Sequence, residues 1–149
     1  MDRKLPDLSK YDAKALRTLL KNARALKETD SEQAILAQLA RTEAKAVIKD
    51  ETCPNELADE FWEGLLLYEE WKSLENGKRM KSTRVRQMVA RRGVIGTLEE
   101  WAIRSSATDG YDFMARMGRL DLTGEALVVK HPRLFSTKAI TNASRRLNR

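Results

Sequence analysis

Apolar residues recur every three or four positions along most of this chain, which is the spacing of one face of an α-helix. The first stripe predicts a helix over about 11–27, and the second predicts a helix over about 31–49. Because only a few residues separate them, we expect an antiparallel helical hairpin within residues 9–49. Ser9 and Asp12 have the spacing of a capping pair for the first helix.

The third apolar pattern is the widest and predicts a central helix over about 56–75. Asn55 is its candidate cap, and Gly77 is suited to the left-handed residue that ends a helix. Two of the three tryptophans lie here, so we expect this helix to organise the core. Its apolar positions are Leu57, Phe61, Trp62, Leu65, Leu66, Leu67, Tyr68, Trp71 and Leu74.

Beyond Gly77 the pattern changes to short helices separated by frequent capping residues. Thr97 has the form of a capping box, and Gly93 is predicted to stop the helix before it. No segment predicts a convincing strand, so the fold class is all-α: a hairpin, a central helix and a bundle of short helices. The predicted ranges of these short helices are 82–92, 97–104, 108–117, 123–130 and 136–147.

At 149 residues the chain is long enough for a substantial core. We predict a single domain over 1–149, with 9–49 and 55–149 as possible sub-units. Cys53 is the sole cysteine and no apolar run is long enough to cross a bilayer, which favours a cytoplasmic protein with no membrane partner.

Charge is strongly segregated along the chain. Residues 1–76 carry 12 basic and 16 acidic side chains, whereas residues 77–149 carry 16 basic and 6 acidic ones. The change is abrupt, because 50–76 contains nine acids and one base, while 78–92 contains seven bases and no acid. Such asymmetry favours an acidic partner, and nucleic acid is the commonest one.

The basic segment that follows Gly77 is the candidate contact element. On a helical wheel Val85, Met88 and Val89 share one face, and the basic and amide side chains occupy the other. Arg and Gln are suited to phosphates and base edges, and Lys to phosphates. The predicted nucleic-acid-binding residues are Lys78, Arg79, Lys81, Arg84, Arg86, Gln87 and Arg91, with Lys138, Arg145 and Arg146 in a basic C-terminal tail.

A helix–turn–helix centred on Gly93 fits these residues poorly. Leu98 and Trp101 miss the expected apolar positions by one residue, and Glu99 falls where a buried residue belongs. The expected ligand is duplex DNA rather than RNA, and sparse aromatic residues disfavour single strands.

Two alternatives use the same charges differently. The acidic central helix can neutralise the basic segment internally, or the chain can be a protein-interaction module such as an adaptor, an inhibitor or a regulatory subunit. We identify no acid–base pair, nucleophile or glycine-rich phosphate loop that would indicate an enzyme, and we expect no cofactor. His131 is the sole histidine, so no metal site is predicted.

Overall fold

The computed structural model describes residues 5–47, 52–104 and 109–148, and within these ranges every regular element is helical. The all-α fold class is therefore confirmed. Short 3-10 turns lie at Leu8–Lys10, Leu120–Leu122 and Pro132–Leu134. The α-helices are α1 (Ala13–Ala25), α2 (Thr29–Lys45), α3 (Asn55–Asn76), α4 (Thr83–Ile103), α5 (Asp109–Arg116), α6 (Gly124–Lys130) and α7 (Thr137–Leu147).

Some helix boundaries follow local capping chemistry. Asp12 caps α1 by accepting the Ala15 amide at 2.8 Å, whereas Ser9 bonds to Asp7 instead of capping that helix. Thr123 and Ser136, the first residues of two predicted helices, cap α6 and α7, each accepting an amide three residues later at 3.1 Å. A capping side chain thus marks the start of three helices.

The ends of the first two helices differ from the prediction in detail. The second helix starts at Thr29, earlier than expected, and Ser31 is buried inside it. It ends at Lys45, and residues 48–51 lie outside the described ranges.

Gly77 has φ of +69°, which confirms its left-handed role at the end of α3.

The helices form two compact units, and α3 contributes to both. The first unit comprises Met1–Val47 with Leu65–Lys81, and the second comprises Ile48–Gly64 with Ser82–Arg149. The hairpin of α1 and α2 therefore belongs to the first unit. The assignment of 1–149 to a single domain stays a prediction.

The core of the first unit is aliphatic. It consists of side chains that are almost fully buried on α1, α2 and the second half of α3, and complete burial of each stabilises the fold by about 1.5–3 kcal/mol. Leu26, which lies within the predicted first helix, follows the last residue of α1 and is 57% exposed. The core members are Leu16, Leu20, Ile35, Leu36, Leu39, Leu65, Leu66 and Leu67.

In the second unit α4, α6 and α7 pack against one another. Small residues allow this close approach: Ala139 and Ala143 of α7 are fully buried, and a Cβ on Gly124 would lie 3.3 Å from the Trp101 ring. The large buried side chains are Leu57, Phe61, Val94, Leu98, Phe113, Leu127 and Val128.

Candidate nucleic-acid interface

The first ten residues of α4, 83–92, form a helical segment that we call the basic half-helix. None of its side chains is fully buried. Arg84, Gln87 and Arg91 are exposed, and their spacing of three and four residues places them in one stripe along the helix. The predicted solvent face is thus exposed at these three positions.

Gly93 ends the basic half-helix. Its backbone angles, φ 75° and ψ 176°, are non-helical and lie in a region that only glycine adopts readily. Helical structure resumes at the next residue, so the several-residue turn of a helix–turn–helix motif is absent here. The expected helix start at Thr97 is wrong, because Thr97 is buried within the helix and its hydroxyl donates to the Gly93 carbonyl at 2.8 Å.

The opposite side of the basic half-helix is only partly covered. Val85, Met88 and Val89, which form the apolar face of the predicted helix, are half-buried. Arg86 is also half-buried, with its guanidinium carbon 5.5 Å from the centre of the Trp62 ring. At this distance the interaction is a cation–π contact. Arg86 therefore has a structural partner within the second unit.

The three basic residues just before the basic half-helix belong to the first unit and differ from one another. Arg79 donates to both carboxylate oxygens of Glu70, at 2.6 and 3.1 Å. These hydrogen bonds raise the pKa of Arg79, so it stays charged and bound to Glu70. Lys78 and Lys81 are exposed, and no carboxylate of the described residues pairs with them.

The Glu70 carboxylate is the centre of a charged cluster that the sequence analysis missed. Arg17 of α1 donates to Glu70 at 3.2 Å and lies 3.2 Å from Glu43 of α2. Burial first, and then a hydrogen bond with Glu70 and its negative charge, raise the pKa of Glu43 to about 7. Burial opposes ionisation of Glu70 as well, but its hydrogen bonds with Arg79, Arg17 and Glu43 prevail and lower its pKa.

Other carboxylates of α3 also pair with basic residues from distant parts of the sequence. Glu75 pairs with Arg24 at 2.9 Å in the first unit. In the second unit Glu63 accepts from Arg119 at 2.9 Å. Much of the negative charge of α3 is therefore balanced by residues outside 78–92.

Arg84 and Arg91 of the basic half-helix are not neutralised in this way. Among the residues that the structure describes, no carboxylate forms an ion pair with Arg84 or Arg91. Arg92 differs, since its guanidinium lies 3.5 Å from Glu100 across the Gly93 break.

The predicted basic tail is the ordered helix α7. Lys138 and Arg145 are exposed on it. Arg146 instead is buried, with 5% of its side chain exposed, and it lies 3.4 Å from Glu125 while donating to the Trp101 carbonyl at 3.1 Å. Its guanidinium thus contributes to the core of the second unit rather than to the exposed surface.

A second polar cluster lies in the second unit. Lys130 Nζ is 2.7 Å from Glu60 and 3.4 Å from Glu56, and His131 Nε2 is 3.7 Å from Glu60 Oε1. Glu56, Glu60 and His131 are residue types that ligate metals. The sequence signal was the one-turn spacing of the two glutamates, but His131 is far away along the chain and had no visible partner.

Comparisons of this chain with protein-family models, curated proteins and solved structures find no match. Within the described residues, no helix has both the length and the apolar character needed to cross a membrane.

Proposed function

We propose that this chain binds nucleic acid, with duplex DNA as the preferred ligand, through the basic half-helix. The observation that carries this proposal is the exposed stripe of Arg84, Gln87 and Arg91, which pairs with no described carboxylate. Lys138 and Arg145 are further exposed cations of the same unit.

The dimensions of the stripe suit a DNA groove. Arg84 and Arg91 are seven residues apart, which is about 10 Å along a helix axis. That length matches about three base-pair steps, and an α-helix fits into the major groove. Guanidinium groups bind phosphates or guanine edges in a bidentate manner, and the Gln87 amide suits an adenine edge.

The placement of the aromatic residues supports a duplex over a single strand. Proteins that bind single strands stack the bases on exposed aromatic rings. Among the described aromatic side chains only Tyr11 is exposed, and it lies in the first unit. Trp62 and Phe61 are buried, and Trp101 is half-buried and stacked on Phe61 with 5.9 Å between ring centres.

A pair of charge-reversal variants tests the proposal. Arg84→Glu/Arg91→Glu places two acids on the basic half-helix. Lys14→Glu/Lys21→Glu is the matched control, because these lysines are exposed, lie seven residues apart on α1 and change the net charge equally. Affinity for a fluorescein-labelled random duplex is measured by anisotropy for both variants and the unaltered chain.

We expect the Arg84/Arg91 variant to bind at least about 30-fold more weakly, since each lost contact contributes about 1 kcal/mol or more. The control variant is expected to lose only the small, long-range part of the attraction. Equal losses in both variants would mean that net charge alone drives binding. That result, or an absence of binding at low salt, would contradict the proposal and favour a protein ligand.

A further inference from the structure

Three side chains of metal-ligating types meet in the second unit. Glu56 and Glu60 lie one turn apart on α3, and His131 immediately follows α6. One ligand atom from each residue lies within 4.8 Å of the others.

Two atoms of this cluster lack the partners that buried polar atoms normally have. Glu60 Oε1 and His131 Nε2 are both inaccessible to solvent, and among the described residues neither has a hydrogen-bond partner. They face each other at 3.7 Å. Because most buried polar atoms in proteins are hydrogen-bonded, this pair calls for a bridging group.

We propose that Glu56, Glu60 and His131 bind a divalent transition-metal ion, with Zn²⁺ as the representative ion. Tetrahedral zinc binds imidazole nitrogen and carboxylate oxygen at about 2.0–2.2 Å, which separates two ligand atoms by about 3.4 Å. The observed 3.7 Å between His131 and Glu60 is close to that separation. The Glu56 side chain is 67% exposed, so it is free to adjust its rotamer toward the ion.

The ammonium group of Lys130 competes with an ion for this site. Its ammonium contacts both glutamates, at 2.7 and 3.4 Å, and so holds the two carboxylates around one positive charge. A divalent ion competes with that ammonium for the same oxygens. A transition-metal ion can bind the His131 imidazole in addition to the carboxylates, whereas the lysine ammonium cannot coordinate the imidazole. The site therefore favours an ion that binds nitrogen as well as oxygen, and it disfavours Mg²⁺ and Ca²⁺, which prefer oxygen ligands.

Binding would join the first half of α3 to the end of α6. A ligand that binds only the folded chain raises its stability in proportion to the logarithm of the ligand concentration over the dissociation constant. The inferred role is a metal clip within the second unit, and it is independent of nucleic-acid binding.

Isothermal titration calorimetry with ZnCl₂ measures the affinity and stoichiometry of Zn²⁺ binding to the full chain. The visible absorption spectrum of bound Co²⁺ reports the geometry of its ligands. We expect one ion per chain. Glu60→Gln and His131→Asn are each expected to weaken binding at least about ten-fold, since even residues that only support ligands contribute that much. Glu32→Gln is the control, because it removes a carboxylate of the first unit that pairs with Arg24.

Lys130→Met gives a prediction of opposite sign. Removing one positive charge about 4 Å from a divalent ion is expected to tighten Zn²⁺ binding about 30-fold. This variant keeps the proposal testable even if a ligand variant fails to fold. The proposal is overturned if the unaltered chain binds no Zn²⁺, if Glu60→Gln and His131→Asn leave the affinity unchanged, or if Lys130→Met weakens it.

Discussion

Replacing Glu43 with glutamine is predicted to stabilise the chain at pH 8 and to leave its stability at pH 5 nearly unchanged. Arg17 contacts both Glu43 and Glu70, and Arg79 contacts Glu70. Burial and the Glu70 charge raise the pKa of Glu43 from 4.5 to about 7. Glutamine has the shape of the protonated side chain and can donate a hydrogen bond to Glu70 at every pH.

Proton linkage determines how the stability of the folded chain changes with pH. Between pH 4.5 and about 7 the folded chain keeps a proton on Glu43 that the unfolded chain releases, so stability falls as pH rises through this range. An isolated group with this shift would lower the stability of the folded chain by about 3 kcal/mol above pH 7. Because the Glu43 side chain is 18% exposed and solvent screens part of this cost, we expect about 1–2 kcal/mol.

Urea unfolding followed by circular dichroism, at pH 5 and at pH 8, measures this effect. The control is Glu75→Gln, which removes a carboxylate from a largely exposed pair with Arg24 and is expected to change stability by less than about 1 kcal/mol at either pH. If Glu43→Gln destabilises the chain at pH 8, or destabilises it equally at both pH values, then Glu43 acts as an ordinary ion-pair partner of Arg17 and the reasoning is refuted.

Two further substitutions test the packing of the second unit. Gly93→Ala is expected to cost about 1–3 kcal/mol in urea unfolding, because any side chain is strained at φ 75°, ψ 176°; an unchanged midpoint would show that the helix break relaxes freely. Arg146→Met is expected to cost about 3–5 kcal/mol by leaving Glu125 charged and buried, whereas Glu125→Gln/Arg146→Met is expected to cost clearly less. Additive losses in that double-mutant cycle would contradict a coupled pair.

The helices and many of their ends were predictable because their signals are local. Ser136 and Thr123 each cap the helix that follows them, and Gly77 takes a left-handed conformation, as their positions in the sequence indicated. The Thr97 capping box was wrong because helical structure already resumes after Gly93, so Thr97 lies within the helix and its hydroxyl donates to the Gly93 carbonyl. Glu100, the acid of that box, instead lies 3.5 Å from Arg92.

Whether an individual charged side chain is exposed or buried was the feature least predictable from the sequence. Arg145 and Arg146 are adjacent and chemically identical, yet the first is exposed and the second is buried against Glu125. Their difference arises from the helical face on which each lies and from a partner 21 residues away. Segregated charge in the sequence thus indicated a basic surface, but tertiary contacts decide which cations remain available.

The salt dependence of duplex binding tests the central claim most directly. Arg84, Arg91, Lys138 and Arg145 are exposed cations of the second unit. If each contacts one phosphate, the logarithm of the association constant should fall with the logarithm of salt concentration at a slope of about 3–4, and Arg84→Glu/Arg91→Glu should reduce that slope by about 2. A slope near zero, or one that these substitutions leave unchanged, would contradict binding through the basic half-helix.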